Sequence, residues 1–147
     1  MKKFAFTLQG VNDIALATEK QLKIEMQRIT DRLRRVIQEI EDTQAELRRL
    51  KARCLQLMRQ GKMDSQTLVQ YERYFEKLEA ALQILQQTKL QIEREKEKCL
   101  QAQIENRKEL KTLEKLRDRQ YEEYLGELRR EEEKEIGDLV AFRSTIQ

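Results

Sequence analysis

The chain has 147 residues, of which 39% are charged and 39% hydrophobic, and it contains no proline, no histidine and no tryptophan. Thirty Lys+Arg against 27 Asp+Glu leave a formal net charge of +3, and there are only four glycines. Such a composition excludes a compact core with many turns, an imidazole general base and a histidine-ligated metal, and it predicts very few, very long helices in one domain.

The opening Met1-Lys2-Lys3-Phe4-Ala5-Phe6-Thr7 is basic but lacks the apolar stretch of a signal peptide. A first helix is predicted over about residues 8–60. From Leu22, apolar residues recur in alternating steps of four and three: Met26, Ile29, Leu33, Val36, Ile40, Leu47, Leu50, Cys54 and Leu57, with Thr43 the polar member. This is a coiled-coil seam, because a 3.5-residue repeat holds one stripe against a partner along the whole helix. Before Leu22 the phase slips, and Thr18, Ala15, Val11 and Leu8 fit after one inserted four-residue step, a stutter that locally unwinds a supercoil.

A turn is predicted at 61–64. Gly61 suits the left-handed position after a helix C-terminus, and Asp64 or Ser65 can cap the amides of a following helix. The second helix is predicted from about 65 to 137. Its seam begins strongly with Leu68, Tyr71, Phe75, Leu78, Leu82 and Leu85. It is diluted through Lys89, Ile92, Lys96, Cys99, Gln103 and Asn106, and recovers at Leu110 and Leu113. Seam lysines can lay their stems on apolar neighbours while the ammonium reaches water.

A short turn between two seams makes antiparallel neighbours, pairing Leu50 with Phe75, Leu47 with Leu78, Leu33 with Ile92 and Met26 with Cys99. The expected fold is all-α: a long two-helix antiparallel coiled-coil hairpin in a single domain, 1–147. Its second helix overhangs beyond Tyr121, spans roughly 100 Å, and ends in a tail at 138–147. In this register Cys54 and Cys99 lie roughly 40 Å apart, beyond the ~7 Å Cα separation a disulfide needs, so both read as small seam residues. They also lack a CxxC partner, which argues against zinc or redox-motif chemistry.

Function is therefore expected at surfaces. Tyr74, Leu78, Ala81 and Leu85 form a second heptad-spaced line after the turn, with Val69 and Ile84 beside it, which fits either a partner site or a widened core. The overhang carries Tyr121, Tyr124, Leu125, Leu128, Ile136, Leu139, Val140 and Phe142 among charged residues. An unpaired helix with an apolar stripe must find something to bury it or fray. The Arg28, Arg32, Arg34, Arg35 cluster is interleaved with Glu25 and Asp31 and has no aromatics, so nucleic acid is not an expected partner. No glycine-rich phosphate loop, cofactor site, metal site or small-molecule substrate is indicated, and no apolar run approaches the ~20 residues of a membrane span.

Four segments in order resemble the FliJ family of flagellar export proteins: Phe4-Ala5-Phe6-Thr7-Leu8 with Val11-Asn12-Asp13-Ile14; Tyr71-Glu72-Arg73-Tyr74-Phe75-Glu76-Lys77-Leu78; Leu113-Glu114-Lys115-Leu116-Arg117; and Glu133-Lys134-Glu135-Ile136-Gly137-Asp138-Leu139-Val140-Ala141-Phe142-Arg143. Gly137 departs from the family's usual acidic residue, and a glycine there is expected to weaken the helix and leave the tail without order.

The resemblance implies a non-enzymatic part of the flagellar type III export apparatus, cytoplasmic and peripheral at the flagellar base, similar to the central stalk of rotary ATPases. The implied partners are a FliI-like export ATPase hexamer, a FlhA-like export-gate platform protein and export chaperones. On this reading Phe4, Phe6, Leu8, Arg117, Tyr121, Tyr124 and Leu128 would meet the ATPase ring, and Tyr74, Leu78, Ala81 and Leu85 the platform. The equivalent stalk of a virulence-type secretion system, and a general coiled-coil chaperone or tether, remain as alternatives.

Overall fold

The computed structural model describes residues 2–146, which form two helices, α1 (Gln9–Arg59) and α2 (Ser65–Ile146), with no strand among them. The long runs of Leu, Glu, Lys, Arg and Gln without proline are what permit helices of 51 and 82 residues. The fold is an all-α helical hairpin. Its contacts divide into a turn unit, Leu22–Ala102, and a terminal unit, Met1–Gln21 with Gln103–Gln147.

In the turn unit, α1 ends where Gly61 takes φ of +67°, a left-handed conformation costly for any residue with a Cβ. The Lys62 amide donates to the Leu57 carbonyl and the Gly61 amide to that of Met58, both at 3.1 Å, closing a Schellman motif on the last turn. Of the two capping residues the sequence offers, Asp64 does the capping: its Oδ1 accepts the Thr67 amide at 2.7 Å. The hydrogen bonds from Thr67 hold the Asp64 carboxyl below its ordinary value of 3.8.

Every seam position from Leu22 to Leu57, Thr43 included, and from Leu68 to Cys99 is buried or half-buried. Ile29, Ile92 and Cys99 form the centre of one core cluster, with Leu22, Met26, Leu33 and Val36 packed against it. That cluster contains both partners of two expected pairs, Leu33 with Ile92 and Met26 with Cys99. Cross-ties hold the same antiparallel register: Arg32 Nη1 donates to Glu95 Oε2 at 2.8 Å, and Lys51 Nζ to Glu79 Oε1 at 3.3 Å. Both ion pairs are half exposed and add little stability, so they mark the register more than they create it. Cys54 and Cys99 are buried free thiols. Burial, and secondarily the charge of Glu25, push the Cys99 thiol above 9.0, and its Sγ lies 3.7 Å from the Leu22 carbonyl it faces.

The terminal unit is built on Phe6, Ala15 and Leu113, with Phe4, Leu8, Leu110 and Leu116 around them. Asn106 is the one buried polar side chain among the described residues, and its Nδ2 donates to the Ala15 carbonyl at 3.1 Å. Three boundaries differ from the sequence expectation. Val11 is 42% exposed, and the half-buried Asn12 takes its place between Ala15 and Leu8. The overhang does not begin at Tyr121, because non-helical residues 2–6 continue along α2 past the start of α1 and leave Tyr124, Leu125 and Leu128 half-buried. Exposure of every residue begins at Arg129. Nor does α2 stop at 137: it runs through Gly137 to Ile146, since one helical glycine costs only about 1 kcal/mol against otherwise strong helix formers. Gln147 of the expected tail lies outside the described residues.

Ile92 is 2% exposed and Ile84 is 64% exposed on the same helix. Ile92→Ala is expected to cost about 2–4 kcal/mol by chemical denaturation. Ile84→Ala is expected to stay within about 0.5 kcal/mol.

Candidate partner-binding surfaces

The first surface is in the terminal unit. Residues 2–8 cannot continue α1 and instead lie along α2, where three rings meet. Phe4 packs edge-on to Tyr121, centroids 5.1 Å apart, and tilted to Tyr124 at 5.6 Å, while the two tyrosines stack at 6.3 Å. Such pairs add about 0.5–1.5 kcal/mol beyond their buried area. The Tyr124 hydroxyl donates to the Lys2 carbonyl at 2.7 Å, and Gln120 clamps Thr7 twice: its Nε2 donates to Thr7 Oγ1 at 2.8 Å and its Oε1 accepts the Thr7 amide at 3.3 Å. Beside this contact opens a cleft of about 750 Å³ whose walls include Lys2, Lys3, Glu123, Glu127, Leu128 and Glu131.

Of the residues the sequence analysis assigned to this surface, the structure brings Phe4, Tyr121 and Tyr124 together and places Leu128 at the cleft. Phe6, only 7% exposed, and Leu8 belong to the core instead. Arg117 is exposed on α2 and is not among the residues of the aromatic cluster or the cleft. The sequence reading missed Thr7, Gln120 and the glutamate row. The row had a signal, because glutamates at 123, 127 and 131 repeat every four residues and share one helix face. The Thr7–Gln120 clamp had none, since it depends on a non-helical path.

Past the cleft, residues 129–146 of α2 are exposed throughout. Ile136, Leu139, Val140, Phe142 and Ile146 are each 61–69% exposed. At 100° per residue they occupy a single broad side of the helix, an apolar face with nothing packed on it in the described residues.

The second surface is in the turn unit. Leu78 is 9% exposed and part of the core, Ala81 and Leu85 are half-buried at the seam, and only Tyr74 of the expected line is exposed, at 40%. The four residues therefore do not form one outward line: the spacing that suggested a second stripe describes the broadened inner side of α2. Tyr74 itself is tied to α1, its hydroxyl donating to Glu46 Oε1 at 2.9 Å. Other exposed apolar residues of this unit nearer the turn include Leu55, Met58, Val69 and Ile84. Among the described residues no cluster of His, Cys, Asp and Glu could hold a metal ion, and no helix is long and apolar enough to cross a membrane.

A family model described as Flagellar FliJ protein matches residues 5–145. The chain belongs to the FliJ family. The match spans the aromatic N-terminal segment, both helices and nearly all of the exposed end of α2, so FliJ membership covers both surfaces and makes this a flagellar export-related protein of a family known as a non-catalytic export component. No curated protein and no solved structure matches the chain.

The Glu46 hydrogen bond, followed by the charge of Glu46, raises Tyr74 above its ordinary 10.0. The native fold thus favours the neutral phenol, and this contribution to stability is complete below the ordinary tyrosine range and lost as pH rises through the raised value. Phenolate absorbance in the difference between the parent and Tyr74→Phe is expected to appear above pH 10.0, and Glu46→Gln is expected to bring it down. An unmoved titration in the glutamine variant would show that Glu46 is not the cause.

Proposed function

We propose that this FliJ-family chain is a stalk and coupling factor between the export ATPase ring and the export-gate platform. The observation that carries the reading is the exposed end of α2: residues 129–146 keep helical form with an apolar face and no partner among the described residues. A helix in that state gains most when something encloses it. A ring with a central opening is such an enclosure, and family membership supplies the reason to look to the export ATPase. The terminal unit, with the Phe4–Tyr121–Tyr124 cluster at the base of that helix, would meet the ring. The turn unit, through exposed Tyr74 and the neighbouring Val69 and Ile84, would meet the platform. Charge balance supports protein partners over nucleic acid, since +3 spread over interleaved charges makes no continuous basic face. A role as escort for export chaperones, and a peripheral position at the cytoplasmic face of the flagellar base, belong to the same proposal.

The test is ATP hydrolysis by a purified FliI-like hexamer with and without the chain. The full chain is expected to stimulate turnover. A version lacking residues 129–147 retains the Tyr124–Lys2 contact, so it is expected to keep its fold and lose the stimulation. Ile136→Glu with Val140→Glu is expected to weaken ring binding at least about a hundredfold, the scale of losing two buried aliphatic side chains. For the platform, Tyr74→Ala is expected to reduce capture; Leu78 is unsuitable, since its replacement would test the core. Undiminished stimulation by the truncated chain would reject the ring assignment. It would leave the general chaperone or tether, whose binding of apolar client segments needs no effect on ATP hydrolysis.

A further inference from the structure

Arg143 stands inside the exposed apolar face at the end of α2, between Leu139 and Ile146, and has no local partner. The positions three and four away on either side are Leu139, Val140, Ile146 and Gln147, none of them acidic. Among the described residues it takes part in no ion pair. A cation in that place loses hydration whenever the face is covered, so whatever covers the face must bring it a carboxylate.

The chain's own row supplies one. Arg129, Glu132, Ile136, Leu139, Arg143 and Ile146 follow one another in steps of three, four, three, four and three. At 100° per residue this seam spacing keeps all six on one side of the helix, within about 100° of each other. The step order reads the same in both directions. A second copy laid antiparallel therefore meets the row position for position: Ile136 opposite Leu139, Glu132 opposite Arg143 and Arg129 opposite Ile146, each twice by two-fold symmetry. The first pairing is an apolar centre and the second an oppositely charged layer to either side of it. In the third, the arginine stem lies along the isoleucine while the guanidinium reaches water. A parallel copy would instead set Glu132 against Glu132 and Arg143 against Arg143, so charge selects the antiparallel arrangement.

We propose that residues 129–146 are a self-docking surface, on which the exposed end of α2 pairs antiparallel with that of a second copy through the Ile136–Leu139 centre and the Glu132–Arg143 layers. The pairing spans the stretch of α2 in which every residue is exposed. About 26 Å of paired helix buries on the order of 1,000 Å² in total, below the about 1,200–2,000 Å² of stable complexes, so the pair is reversible. It covers the same apolar residues that the stalk reading gives to the ring, and a chain cannot hold both partners there at once. The pairing follows from the row itself and needs no ring.

Sedimentation equilibrium of the full chain between about 1 and 300 µM reads the pairing, and at the upper end the parent is expected to approach twice its chain mass. Glu132→Arg and Arg143→Glu each turn two attractive layers into repulsive ones, and each is expected to weaken the dimer about tenfold. The two single variants mixed in equal amounts, and the double reversal by itself, regain both opposite-charge layers and are expected to recover the parent affinity. Leu139→Glu is expected to abolish the dimer. All three positions are exposed, so helical content by circular dichroism is expected to match the parent's in every variant. A parent chain that stays single at about 300 µM would overturn the proposal. So would a dimer indifferent to both single reversals, which would mean parallel copies or a contact elsewhere, and so would a mixture or double reversal that fails to recover. No ATPase is present in these measurements, so a failed pairing leaves the stalk reading standing, and a failed stimulation of the ATPase leaves the pairing standing.

Discussion

A helix with one narrow apolar stripe can bury it only against another stripe, and this constraint governs each unit of the chain. The turn unit satisfies it by placing Ile29 against Ile92 and Cys99, and the terminal unit by placing Ala15 against Leu113. Neither unit has a second layer, and among the described residues no side chain is fully sealed from water. Stability is therefore spread thinly along the seam rather than concentrated in a centre. That makes the few directional contacts important as register marks. Asn106 is the clearest: a polar seam residue weakens the stripe, but its donation to the Ala15 carbonyl is satisfied at one alignment. Slippage would leave the amide buried without a partner.

How much of this was legible in the sequence depends on whether a feature repeats. The seam was legible in full, from Leu22 to Leu57 and from Leu68 to Leu113, because periodic burial leaves a periodic trace and Gly61 with Asp64 punctuates it. Even Lys89, Lys96 and Gln103, which dilute the apolar pattern, sit half-buried where the period puts them. Non-periodic features were lost. The path of residues 2–7 obeys no helical repeat, so the sequence could mark Phe4, Tyr121 and Tyr124 as notable without showing that they touch. The line through Tyr74, Leu78, Ala81 and Leu85 was open to two readings, a partner site or a widened core, and the burial of Leu78 fits the second. It was periodic, but a heptad line beside a seam is also what a broad inner face produces, and Leu78 belongs to both lines.

Sequence and structure also differ about the end of α2, for an informative reason. Gly137 read as a stop because a glycine within a helix weakens it. At Gly61 it does stop the helix, with positive φ and a Schellman pair. At 137 it has neither, and α2 continues. What distinguishes the two glycines is their company: Gly61 is followed by a capping aspartate that starts a new helix, whereas Gly137 is surrounded by residues that prefer to continue one.

The contacts of residues 2–7 with α2 have a consequence for the chain as it is made. Tyr124 bonds Lys2 across 122 positions, and Gln120 bonds Thr7 across 113, the widest sequence separations among the described hydrogen bonds. The turn unit, by contrast, closes through neighbours around Gly61 and can zip outward from there. A ribosome adding about 5–20 residues per second needs roughly 6–24 s to deliver the partners of the N-terminal segment. For that interval Phe4 and Phe6 have no native surface to cover. The residues that close the terminal unit are made long before the partners they fold against, and they spend that interval in want of a shield.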